Sequence, residues 1–116
     1  MFEIANMKVP NYDRAYIEPD KLTRYLLNFD HSEGASKAIF YEAMGFKLSN
    51  ADELETELLR LVCENDIHSV IENQHGTKYV VIGLFQGKQE RTRLLKTVWL
   101  IEKNKEFPRL ITAYPF

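Results

Sequence analysis

Five residues of this chain have side chains that could act together on a phosphodiester: His31, Lys37, Arg93, Thr112 and Tyr114. A histidine can take or give a proton near neutral pH. Lysine and arginine offset negative charge, and the planar fork of arginine suits phosphate oxygens. Thr112 and Tyr114, two apart on one strand, offer hydroxyls that can hold a phosphate oxygen or orient a nucleotide. These are the parts of a metal-independent RNA cleavage. One group takes the proton of the ribose 2′-OH, another protonates the departing 5′ oxygen, and cations neutralise the charge that grows on the phosphorane. His31 is expected as the base or acid and Lys37 and Arg93 as the phosphate clamp, with Lys96 the other choice of strand cation. Thr112 and Tyr114 are expected to position the phosphate. Each residue alone also has an ordinary reading: a loop histidine beside Asp30, a solvated helix lysine, a surface arginine, a tyrosine with its hydroxyl at the rim. Arg109 is a further candidate cation, Lys78 and Arg91 are weaker ones, and His68 and His75 are background.

The elements that must position these residues can be read from periodicity. Glu18 and Pro19 open a first helix with Leu22, Leu26 and Phe29 as its apolar stripe and Tyr25 beside them. His31 then falls in a loop, in the stretch DHSEGASKAIF at 30–40. Gly34 allows close approach there, and exposed N–H groups at the next helix start, with Lys37 nearby, could receive a phosphate. That second helix is expected over about 35–44, with Ile39, Ala43 and Phe46 inward and Gly45 as its left-handed stop. A third helix is capped by Ser49 with Asp52 answering it, and turns Leu54, Leu58, Leu61 and Val62 inward. From Ile67 the period changes from 3.6 to 2. Strands are predicted at about 67–73, 77–85, 92–101 and 109–114, joined by short turns and therefore antiparallel. KYVVIGLF at 78–85 reads as a central strand. In the last strand, strict alternation puts Leu110, Thr112, Tyr114 and Phe116 on one face. The fold class is α+β, two or three helices followed by a four-stranded antiparallel sheet.

Composition limits what else the chain can be. A length of 116 residues suits a single domain, 1–116, and a hydrophobic content of 45% suits a packed core. No apolar run approaches a membrane span, so no membrane partner is expected. The start, MFEIANMKVPNYDRAY, lacks the apolar core of a signal peptide, so the chain reads as intracellular and cytoplasmic, either alone or as a piece of a larger protein. The single cysteine, Cys63, excludes an internal disulfide and reads as a quiet, partly buried thiol. No metal-ligand spacing, phosphate-binding glycine loop or βαβ unit is present, so no metal, no cofactor and no Rossmann domain are expected. The net charge of −2 is a poor match to nucleic acid, but it is unevenly spread. Residues 1–66 hold 7 Lys+Arg against 13 Asp+Glu, and residues 67–116 hold 8 against 4. The basic half could face a phosphate backbone, or the halves could simply pair in the fold.

Several stretches carry a resemblance. MKVPNYDRAYIEPDKLTRYLLNFDHSEGASKAIFYEAMGF at 7–46, TKYVVIG at 77–83, LLKTVWLI at 94–101 and PRLITAYP at 108–115 resemble a family of small bacterial domains of uncharacterised function. Its members end in a TAYP-type strand and occur alone or at the C-termini of larger toxin-like proteins. The order of helices then sheet also resembles the fold group of barnase, the RelE toxins and the colicin tRNA nucleases. Toxins of that group often set a His, a Lys or Arg and a terminal-strand Thr or Tyr around the scissile phosphate. The matching pieces here are the H-x5-K of His31 and Lys37 and the T-A-Y of Thr112 and Tyr114, with Arg93 or Lys96 as strand cation. The negative net charge departs from the basic character of secreted ribonucleases.

The resemblance and the residues together imply a metal-independent ribonuclease-like or RNA-binding domain of the bacterial toxin type. RNA and a cognate inhibitor are its expected partners. The alternative is a non-catalytic interaction module, an antitoxin, accessory subunit or inactive homologue. A small-molecule enzyme lacks any supporting motif.

Overall fold

A computed structural model describes residues 6–31 and 35–116. Gly34, expected to ease close approach before the second helix, lies outside them. The lead-in makes a 3₁₀ turn at Tyr12–Arg14, entered through Asn11 in the left-handed region (φ 56°). It then runs beside the last strand. The Tyr16 N–H donates to the Pro108 carbonyl at 3.0 Å, and the Tyr16 carbonyl accepts from the Leu110 N–H at 3.1 Å.

The first predicted helix is a π-helix over Lys21–Leu26. Its wide turn closes with the Leu27 N–H donating to the Leu22 carbonyl at 2.9 Å. That geometry changes the inward face. Leu22, Leu26 and Leu27 are buried, while Phe29, expected on the stripe, is 48% exposed. Helix α1, Ala35–Ala43, buries Ala38 and Tyr41. The expected stripe through Ile39 is therefore corrected by one position, and Ile39 is 61% exposed. Gly45 follows with φ +95°, the left-handed stop that its lack of a Cβ permits. Helix α2, Ala51–Glu64, buries Leu54, Leu58, Leu61 and Val62 as the period requires. Each such side chain contributes roughly 1.5–3 kcal/mol on burial. The helix is preceded by a 3₁₀ turn at Leu48–Asn50, so Asn50 rather than Ser49 stands at its N-cap. The Asn50 side chain holds the entry, accepting from the Lys47 N–H at 2.7 Å and donating to the Gly45 carbonyl at 3.0 Å.

The sheet is an antiparallel meander in the order β1-β2-β3-β4. Its strands are β1 Ile67–Asn73, β2 Gly76–Gln86, β3 Thr92–Glu102 and β4 Arg109–Pro115. The α+β class and the four strands agree with the reading of the sequence. KYVVIGLF is an inner strand, as its near-continuous apolar character implies. The helices cover the face that carries Val81, Phe85, Leu95, Thr97, Trp99, Leu110 and Ala113. Thr97 is the buried polar residue of this core. Its hydroxyl donates to the Val81 carbonyl at 2.8 Å and accepts from the Trp99 indole N–H at 2.8 Å.

One irregularity decides where β4 points. Val98 faces Thr112 but Trp99 faces Leu110, so Ile111 is an extra residue on β4. Strict alternation fails at this bulge. Leu110 and Ala113 both face the core, and Thr112 and Tyr114 turn to the opposite face with Val98 and Lys96. Part of the charge asymmetry between the halves is closed by Lys88 with Glu53 and by Arg109 with Glu18 at 3.3 Å.

Candidate functional site

Three elements meet at the edge of β4. The π-helix leans its Tyr25 against the edge, and the Tyr25 hydroxyl lies 3.2 Å from the Thr112 hydroxyl. The His31 ring packs edge-on against Tyr25, with centroids 5.1 Å apart. The turn before it is shaped by Asn28, whose side-chain oxygen accepts from the Asp30 N–H at 2.9 Å. The His31 carbonyl accepts the Ala35 N–H at 2.9 Å, which ties the loop to the start of α1. Helix α1 is fixed to the same strand from inside. The buried Tyr41 hydroxyl donates to the Ala113 carbonyl at 2.7 Å. Burial pushes the Tyr41 phenol far above its ordinary range, so it stays a neutral donor.

One turn back along α1, Lys37 reaches between two aromatic rings. Its ammonium is 5.2 Å from the Tyr25 centroid and 5.6 Å from the Tyr114 centroid. The Lys21 ammonium lies 4.7 Å from the Tyr25 centroid, and that of Lys96 lies 5.7 Å from the Tyr114 centroid. The order is Lys21, Tyr25, Lys37, Tyr114, Lys96, with cations and rings alternating across the π-helix, α1, β4 and β3. Each contact of this kind contributes about 0.5–1 kcal/mol at an exposed site. Cations held this way stay near the surface, where an anion can meet them.

The electrostatics converge on Tyr25. Burial opposes its phenolate, but the Thr112 hydrogen bond and the Lys37 and Lys21 ammonium groups outweigh that burial. The phenol therefore lies below its ordinary value. Beside it is an open cavity of about 740 Å³, lined by Glu18, Asp20, Lys21, Arg24, Tyr25, His31, Ile111 and Thr112. That volume would admit a nucleotide, being within the roughly 300–1,000 Å³ of small-molecule sites.

Of the residues singled out from the sequence, His31 and Thr112 line this cavity, Lys37 meets it through Tyr25, and Tyr114 is linked to Lys37. Arg93 stands apart from Lys96, three residues back on β3 and on the opposite face. Its guanidinium is over Phe40 at 5.6 Å, one helical turn from Lys37. Arg109 is engaged by Glu102 at 2.6 Å and Glu18 at 3.3 Å, and holds the Glu102 carboxyl below its usual range. Arg91 donates to the Ala43 carbonyl at 2.7 Å. Cys63 is half-buried, and burial, then Asp13 and Glu64, raise its thiol. Tyr25 and Lys21 were not among the candidates. Tyr25 reads as part of the apolar stripe, and only its i, i+4 spacing from Lys21 marks the pair.

The chain belongs to the family of a domain of unknown function, DUF6883, which it matches over residues 8–116. No curated protein matches it. Among solved structures it is similar to a chain of a contact-dependent growth inhibition toxin–immunity protein complex from Klebsiella pneumoniae 342. The TM-score is 0.69 at 14% identity, covering 90% of this chain and 95% of that one. At that identity the likeness is one of fold. Among the described residues, no helix is long and apolar enough to cross a membrane.

Proposed function

We propose that this DUF6883 domain is a metal-independent ribonuclease-like domain of the bacterial toxin type, acting at the β4 edge. The observation that carries the reading is the alternating series of Lys21, Tyr25, Lys37, Tyr114 and Lys96 beside the His31 cavity. Ammonium groups suit phosphates, and the half-buried rings of Tyr25 and Tyr114 suit bases, which stack without regard to sequence. His31 supplies proton transfer, Lys37 and Lys96 offset phosphorane charge, and Thr112 and Tyr114 position the phosphate. Arg93, beyond Phe40, serves a neighbouring phosphate of the same strand. The 2′ oxygen attacks phosphorus, the bond to the 5′ oxygen breaks, and the products carry a 2′,3′-cyclic phosphate and a 5′-OH.

Purified protein should cleave bulk tRNA or a structured RNA in EDTA, leaving those ends. His31→Ala should lose on the order of 10²–10⁴ in rate, the usual worth of general acid–base catalysis. Equal cleavage by both proteins would remove His31 from the site, and no cleavage by either would remove the activity.

A second reading, a non-catalytic partner of another protein, draws on the fold neighbour. That neighbour comes from a toxin–immunity protein complex. Under this reading the same surface would bind a protein, and RNA would neither bind nor be cut.

A further inference from the structure

Cleavage of an RNA phosphodiester needs two proton transfers, and His31 supplies only one of them. Of the other titratable residues that line this cavity, Glu18, Asp20, Lys21, Arg24 and Tyr25, Tyr25 is the one whose ring contacts His31. Its ring is packed against His31, and its oxygen is held at 3.2 Å from Thr112. Lys37 and Lys21 stand over the ring. It is half-buried, so a substrate can reach it. We infer that Tyr25 is the general acid of this site, a catalytic residue that protonates the departing 5′ oxygen. This rests on the ribonuclease reading above.

The step balances. Neutral His31 takes the proton of the 2′-OH as the 2′ oxygen bonds to phosphorus. The bond from phosphorus to the 5′ oxygen breaks, and its electron pair takes the phenolic proton of Tyr25. A phenolate and an imidazolium remain, and water returns both to their starting states. The surroundings fit the demand. Lys37, Lys21 and the Thr112 hydroxyl favour the phenolate that donation leaves behind, so the phenol is a stronger acid than an isolated tyrosine. Glu18 and Asp20 also line the cavity, each beside a cation, with Arg109 3.3 Å from Glu18 and Arg24 3.6 Å from Asp20. Tyr41, held neutral by burial, adds no charge.

The test uses two RNA substrates, one ordinary and one with sulfur in place of the bridging 5′ oxygen. A thiolate leaves without being protonated, so a missing acid costs nothing there. Tyr25→Phe keeps the ring and removes only the hydroxyl. It should lose about 100-fold or more on ordinary RNA, as expected for a lost general acid. It should cleave the sulfur substrate at nearly the wild-type rate. His31→Ala should be slow on both. Equal losses of Tyr25→Phe on both substrates, or wild-type rates on ordinary RNA, would overturn the acid role and leave the ribonuclease reading standing. An inert wild type on both substrates would end both. A thermal melt checks that the variant is folded. Should it not fold, 3-fluorotyrosine at position 25 keeps the hydroxyl and lowers its pKa. The alkaline limb of the rate must then move to lower pH, and an unmoved limb overturns the assignment.

Discussion

Lys37 stands between the rings of Tyr25 and Tyr114, and the acidity of Tyr25 depends on it. Removing that ammonium withdraws support from the phenolate, so the phenol pKa rises. If the protonated phenol is the active form, the rate holds below that pKa and falls above it. Lys37→Met should therefore be slower overall, with the alkaline limb of kcat/KM moved to higher pH. A limb that stays in place or moves down would separate Lys37 from Tyr25. Residue types alone point to His31, Lys37, Arg93, Thr112 and Tyr114, because few side chains can move protons or hold phosphate. They could not point to Tyr25. A tyrosine next to Leu22 and Leu26 satisfies an apolar stripe as well as it satisfies a site, and only its contact with Thr112 tells the two apart. Arg93 shows the reverse case. Its chemistry fits phosphate, yet an odd position on β3 turns it to Phe40 and away from the face of Tyr114.

Two departures from regular geometry build the site, and neither has a signature in local composition. The π-turn of Lys21–Leu26 rotates Leu27 inward and Phe29 outward and leaves Tyr25 against β4. Such turns are common at functional sites. The extra residue Ile111 lets Leu110 and Ala113 share the core while Thr112 and Tyr114 face away. Bulges commonly re-aim side chains in this way. Alternation read from the sequence had Leu110 and Thr112 on one face, because a bulge is set by pairing with β3 and not by the residues of β4. Strands and the α2 stripe were legible for the opposite reason, being long, regular and one-sidedly apolar. The link between helix and strand is testable. Tyr41→Phe removes the bond to the Ala113 carbonyl. It should cost about 1–3 kcal/mol in urea denaturation, the range for a buried hydrogen bond whose partner is left unpaired. It should also lower activity, since Tyr41 fixes α1 and hence Lys37. Unchanged stability would mean that packing alone seats α1.

At the scale of the whole molecule, net charge is a poor guide to the surface that RNA would meet. The chain totals −2, yet Lys21, Lys37 and Lys96 gather at one edge while acidic residues crowd the start of α2. Binding of single-stranded RNA should weaken with salt through these cations. Lys96→Gln should reduce the slope of log K against log[salt] by about 0.7, one phosphate contact on a single strand. An unchanged slope would place the RNA elsewhere. Under the proposed function, RNA lies along the edge of β4. The most direct measurement is a backbone and side-chain NMR titration with a 2′-O-methyl RNA, which binds but has no free 2′-OH to attack. Shifts should concentrate at Tyr25, His31, Lys37, Lys96, Thr112 and Tyr114, with β1 unmoved. Shifts centred on β1, or none as RNA is added, would contradict that placement.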